Sequence, residues 1–292
     1  MIQDKKQLIT IDNLFKILQS LKYVIFEDKL NIVVLRSSNQ NAGKFDDIEC
    51  VFWKQDNEWI LHTFTCTADP SDLYLKNPLS TLGCGILVPG QHIDSWCYGK
   101  HKGYSALVQL KKLTVIRDNN KDSILDYNRP KVYDKCKVTP NGYNVVTRWY
   151  KDDKVIFVEE CGLIGLDNHR ASQFSVVPDV GLYSAACIVI QYPRGWDMFI
   201  SYIREWKDKQ NNRFTIALVT EQQFDKGLNM EYTSTSTKVE ENNVSTISEL
   251  TPLSTLRTTT TDAIPIFCKP QADSPVEVKY GIRKNPFVRN EE

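Results

Sequence analysis

A mainly β (α+β) fold with a few helices is what this sequence predicts, and three observations carry that reading. Short runs rich in β-branched and aromatic residues recur over the first 220 residues, separated by polar turns. A 3.6-residue apolar period appears in only two places. The 292 residues are 41% hydrophobic and 25% charged, ordinary globular usage for a chain long enough to bury a core without disulfide staples.

Leu14, Ile17, Leu18 and Leu21 stand at i, i+3, i+4 and i+7, one face of a helix that Thr10 or Asp12 can cap. Tyr23 to Phe26 and Asn31 to Leu35 read as two strands turning at Asp28-Lys29. Cys50 to Trp53 and Glu58 to Phe64 read as a hairpin around Gln55-Asp56-Asn57. Pro and Gly are so dense between residues 68 and 103 that loops and short elements are expected there. Ala106 to Gln109 and Leu113 to Arg117 are strand-like, followed by a polar turn, Asp118 to Asp122. That turn lacks the Gly and terminal Glu of a calcium loop. Val145 to Tyr150 and Val155 to Val158 form a second hairpin around Lys151 to Lys154. Met198, Phe199, Tyr202, Ile203 and Trp206 share one face of a helix over Trp196 to Trp206, and Phe214 to Val219 is the last strand. Trp53, Trp59, Trp96 and Trp149 are read as core rather than as a glycan platform.

Composition shifts near residue 225: from Thr233 to Thr261, 15 of 29 positions are Ser or Thr. So few large apolar groups cannot offset the entropy of ordering. Four segments follow: 1–30, an N-terminal helix and the start of a hairpin; 31–220, the body; 221–262, a Ser/Thr-rich linker or tail; and 263–292, an anchoring segment with Ile264, Ile266, Phe267, Val276 and Tyr280. Thr-rich extended chain suits strand addition to a partner, so the tail is expected to lie along another chain.

Lys+Arg and Asp+Glu are 36 each, so net charge is zero, which argues against an overall electrostatic grip on nucleic acid or anionic membrane. Little colloidal repulsion suits a chain that lives in an assembly. No apolar run approaches the roughly 20 residues of a membrane span. No signal-peptide pattern opens the sequence, so synthesis and retention in a cytoplasm are expected. The eight cysteines form no CxxC pair and the four histidines are dispersed, so neither a metal site nor a cofactor is expected. Seven cysteines read as small buried apolar side chains. His101, between Lys100 and Lys102, reads as solvated surface.

Cys187 is the exception. Between His169 and Cys187 lie 17 residues, and Gly181-Leu182-Tyr183-Ser184-Ala185-Ala186 leads into the cysteine. An imidazole that stabilises a thiolate makes a nucleophile, and small residues beside it let backbone N–H groups reach an oxyanion. Ser184 is a candidate to orient the pair.

At these residues the sequence resembles the L,D-transpeptidases, whose motif is a His, a gap, then Ser-His-Gly-Cys. Asn31 to Arg36, Phe45-Asp46-Asp47, Thr67 to Pro70, Asn77-Pro78-Leu79, Gly85 to Gln91, Gly99 to Gly103, Ala106 to Gln109 and Val115 to Asn120 are similar to proteins of tailed phages, including crAss-like phages of Bacteroidetes. The likeness spans roughly residues 30 to 205. It implies an L,D-transpeptidase-like body with Cys187, His169 and Ser184 as catalytic residues and Arg170 and Ala186 as substrate-binding ones. It departs from the family's pattern at Ala186 for Gly, Ala185 for His, Val189 for Arg, and Asp167-Asn168 where apolar residues stand. A Gly at positive φ replaced by Ala186 costs about 1 kcal/mol or more. The reactive side chains are kept while their frame is altered.

Three functions are therefore expected to compete. One is a structural virion component near the neck or tail, with weak or lost catalysis. It would be held by other virion proteins through its tail, belong to a symmetric oligomer, and be made in a bacterial host cytoplasm. The second is an active peptidoglycan transpeptidase or peptidase. The third is a cell-wall-binding module.

Overall fold

The computed structural model describes residues 1–131, 135–142 and 144–229. Strands dominate, as expected, and helices are few. A 3-10 turn, Ile2–Leu8, precedes α1, Ile11–Ser20, whose cap is Thr10: its hydroxyl accepts from the Asn13 N–H at 3.3 Å. Leu14, Ile17 and Leu18 are buried on the expected face.

Residues 23–26 form no strand, contrary to the pattern. Their backbone groups are taken by side-chain amides instead of a ladder. The Asn31 side chain accepts from the Phe26 N–H at 2.9 Å and donates to its carbonyl at 2.7 Å. The Gln91 side chain does the same for Val24, at 2.9 and 2.7 Å.

The main sheet is a closed barrel. Its strands are β1 (Asn31–Arg36), β2 (Asp47–Gln55), β3 (Glu58–Thr67), β5 (Gly90–His101), β6 (Tyr104–Gln109), β11 (Asn168–Arg170), β12 (Ile188–Ile190) and β13 (Phe214–Thr220). Around the barrel they run β1-β13-β5-β6-β11-β12-β3-β2. The β2–β3 hairpin keeps its predicted turn, with Asp56 and Asn57 at φ 50° and 67°, the left-handed pair that a two-residue hairpin demands. The segment expected to hold only short elements contains, besides the short helix α2 (Asp72–Lys76), the strand β5, twelve residues long. Its punctuation is absorbed by a bulge: Asp94 sits at φ 52° and its N–H donates to the Thr215 hydroxyl at 3.0 Å. The strand also needs Gly99, where a Cβ would stand 2.6 Å from the Val108 side chain.

Side chains alternate across the barrel wall. Ile32, Val34, Val51, Phe64, Cys66, Ile188, Ile190, Ile216 and Leu218 join Trp196, Phe199, Ile200, Ile203 and Trp206 of α3 (Pro193–Trp206) in the largest core cluster. Pro193 starts that helix, where its missing N–H costs nothing. Met198, assigned to the buried face from spacing, is 40% exposed; Trp196 and Ile200 take its place. The opposite wall face, with Val33, Leu35, Cys50, Phe52, Ala217 and Val219, is covered by α1 and α4 (Glu221–Asn229).

Helix α4 corrects the proposed boundary, since residues 221–229 belong to the body rather than to a linker. Its Gly227 is a contact residue: a Cβ would meet Ile17 at 2.9 Å (Cγ1) and 3.0 Å (Cα). Gly227→Val is expected to lower stability by about 1–3 kcal/mol, because overpacking outweighs what little a β-branched residue gains in a helix. A urea midpoint at or above wild type would contradict that packing. The rest of the expected tail and the anchoring segment, residues 230–292, lie outside the described residues.

The second sheet runs β4 (Cys84–Leu87), β7 (Leu113–Asp118), β10 (Lys154–Gly162), β9 (Asn144–Lys151), β8 (Lys135–Asn141). The predicted β9–β10 hairpin turns at Asp152-Asp153, φ 50° and 58°. Leu87, Leu113 and Val115 extend the barrel core into this sheet, while Ile86, Ile116, Trp149 and Phe157 pack on its other face. Among the described residues no helix is long and apolar enough to cross a membrane.

Candidate active site

The site rests on two three-residue strands. β11 and β12 pair in parallel, with Asn168 against Ile188 and His169 against Val189. The Ile188 N–H donates to the Asp167 carbonyl at 3.0 Å and the Ala171 N–H to the Ile190 carbonyl at 2.9 Å, extending the ladder both ways. Alternation then sends Asn168, Ile188 and Ile190 into the barrel and Asp167, His169, Cys187 and Val189 to its outer face. His169 on β11 and Cys187, one residue before β12, thus lie on the same face of the pair, as diagonal neighbours, and no hydrogen bond joins them.

Cys187 is buried among Phe45, Ala171, Val180 and Val189. Its thiol donates to the Gly165 carbonyl at 3.5 Å, and burial pushes it up to about 12. His169 is 3% exposed. Burial, and then the neighbouring His101, push it down to about 4. Both groups are therefore neutral near pH 7. The His169 Nδ1 lies 2.8 Å from the Arg170 carbonyl and 3.2 Å from the Tyr104 hydroxyl. The carbonyl only accepts, so it fixes the proton on Nδ1 and leaves Nε2 as the basic nitrogen.

Ser184 does not touch the imidazole. Its buried hydroxyl donates to the Cys187 carbonyl at 2.8 Å, and its own carbonyl accepts from the Ser71 N–H at 2.9 Å, so it fixes the backbone that carries the thiol. Ala186 has no positive φ, and the strain expected of it is absent. Arg170 lies over the Tyr104 ring, 4.2 Å from its centroid, and donates to the Gln173 side chain at 2.9 Å.

The polar pair before His169 is accommodated rather than disruptive. Asp167 Oδ2 is 2.8 Å from His101 Nδ1, and Oδ1 accepts from the Gln109 N–H at 2.9 Å. Asn168 Nδ2 donates to the buried Glu49 carboxyl at 2.5 Å inside the barrel. His101, expected on solvated surface, is a site residue: its side chain is 15% exposed and its ring stacks on His169, centroids 4.1 Å apart at 10°. Sequence reasoning missed it because its carboxylate partner lies 66 positions away.

Beside Cys187 is a cavity of about 240 Å³, lined also by Leu79, Ser80, Gly83, Cys84, Arg117, Ile164, Gly165 and Ala185-Ala186. Cys84 donates its S–H to the Ala185 carbonyl at 3.0 Å and is pushed up to about 12 by burial, so this second thiol is also protonated. Arg117 is already held by Glu160 and by the Gly83 carbonyl. Among the described residues no three His, Cys, Asp or Glu gather to hold a metal ion.

No family model, no curated protein and no solved structure matches the chain.

Proposed function

We propose that this chain is a tailed-phage virion protein, associated with the neck or tail, built on an L,D-transpeptidase-like domain whose catalysis is weak or lost. What supports the second half is the burial of the pair, with Cys187 among apolar side chains and His169 3% exposed. A working thiol–imidazole site needs the imidazole to accept the thiol proton, yet burial here opposes both charges, thiolate and imidazolium alike. The virion half rests on the resemblance to tailed-phage proteins and on the zero net charge. In this reading other virion proteins hold the chain through its C-terminal segment within a symmetric oligomer, and peptidoglycan is a further partner. Mass spectrometry of purified particles tests it: the chain is expected at a fixed copy number per virion. Its absence from particles, with abundance in lysed cells, would point to a lysis enzyme.

A specific observation favours the active reading as second. With Nδ1 held by the Arg170 carbonyl, Nε2 of His169 is free to take the thiol proton. Cys187 Sγ would then attack a peptide carbonyl bound in the adjoining cavity, forming a thioester. The departing amine would receive the proton from His169, and a second amine or water would take the acyl group. Ligand that opened the burial around Cys187 would be required first.

A further inference from the structure

We propose that His101 and Asp167 are positioning residues for His169: Asp167 holds the His101 ring flat against His169 and keeps the pair's single proton on His101, so that His169 remains a neutral imidazole. The inference concerns the same site as the proposed function but does not depend on turnover.

The geometry is specific. Asp167 is anchored at both oxygens, by the Gln109 N–H and by His101 Nδ1, so it presents a fixed carboxylate to one imidazole only. His169 faces no carboxylate within hydrogen-bonding reach; its Nδ1 meets a carbonyl and a phenol. At 4.1 Å between nearly parallel rings, two imidazolium charges would repel strongly, so one proton excludes the other. The remaining groups divide: Lys102, which follows His101 in the turn, opposes charge on His169, while the Arg170 carbonyl and the more distant Asp167 charge favour it less than burial and His101 oppose it; the Arg170 guanidinium is turned onto the Tyr104 ring. Cys187, on the approach to β12, is protonated and contributes no charge. His101 itself meets Tyr104 edge-on, with ring centroids 5.6 Å apart. The consequence for the thiol is direct: charge on His101 opposes the imidazolium that would have to form on His169 when Cys187 ionised.

The test is a pH titration of the full chain with labelled histidine rings, followed by NMR, in wild type, His101→Phe, His101→Gln and Asp167→Asn. In wild type the His169 ring is expected to stay neutral until near pH 4. His101→Phe preserves a flat ring against His169 but carries no charge, so it separates electrostatics from packing. It and His101→Gln should each raise the His169 midpoint by about one pH unit or more, the size of effect a single nearby charge produces. Asp167→Asn should remove the exchange-protected Nδ1–H signal of His101, since it takes away the carboxylate that accepts from that ring. A His169 midpoint that rises in His101→Gln but not in His101→Phe would mean the ring acts by packing alone, and would overturn the proposal. So would an unchanged His169 midpoint in both folded His101 variants, or a wild-type proton residing on His169. Peptide turnover is not read here, so its presence or absence bears on the proposed function alone.

Discussion

Glu49→Gln is expected to leave stability nearly unchanged at pH 4 and to raise it by several kcal/mol at pH 9. Glu49 is fully buried in the barrel, and burial lifts its carboxyl to about 8 from an ordinary 4.5. Asn168 Nδ2 donates to Oε1, while Glu49 Oε2 and Asn168 Oδ1 are both buried acceptors without a donor. A proton on the carboxyl supplies one. The folded chain therefore holds that proton where the unfolded chain releases it. Its contribution is fully present below the ordinary value and is lost as pH rises toward about 8, at about 1.4 kcal/mol per pH unit. Gln has the shape of the protonated acid, with one donor side and one acceptor side, and no charge to acquire. Urea denaturation of both proteins at pH 4 and pH 9 reads the difference, with other buried acids cancelling at each pH. A variant less stable than wild type at pH 9 would show that Glu49 is held ionised.

Arg36→Ala should cost about 3–5 kcal/mol, the penalty for stripping one member from a buried ion pair. Arg36 is 2% exposed. Its Nη1 and Nη2 donate to the Leu87 and Ala68 carbonyls at 2.8 and 3.1 Å, and its Nε lies 3.2 Å from Asp69 Oδ1. Without it two carbonyls and a buried acid lose their partner, leaving Asp69 with the Tyr127 hydroxyl at 2.9 Å. The double variant Arg36→Met, Asp69→Asn, which removes both charges, should recover much of the loss. A single-variant loss below about 1 kcal/mol would show that water replaces the guanidinium.

The parts of the fold that were legible are those whose cause is local. Helix α1 follows from Thr10 and the 3.6-residue spacing of Leu14, Ile17 and Leu18. The two hairpins follow from Asp56-Asn57 and Asp152-Asp153, short polar side chains that tolerate positive φ. What stayed hidden depends on distant partners. Residues 23–26 alternate well enough for a strand, but Asn31 and Gln91 claim their backbone groups. Barrel closure comes from β1 pairing in parallel with β13, across most of the body, which no local pattern announces. Helix α4 is rich in Gln and charge, so its composition alone points to a tail; Phe224 and Gly227, fitted against α1, make it a body element. At the site, residue type and spacing single out His169 and Cys187, and the fold carries His169 on β11 and Cys187 one residue before the paired β12. Their protonation, and the part played by His101 and Asp167, depend on burial and on a contact between β5 and the approach to β11.

The measurement that bears most directly on an assembled but unactivated cysteine site is intact-protein mass spectrometry after incubation with peptidoglycan disaccharide-tetrapeptides at pH 7. With the thiol at about 12, the thiolate fraction is some thousandfold below that of an ordinary cysteine, so the expected result is an unmodified mass over hours and only slow alkylation of Cys187 by iodoacetamide. A stoichiometric acyl adduct on Cys187, formed within minutes and missing from Cys187→Ala, would contradict the account.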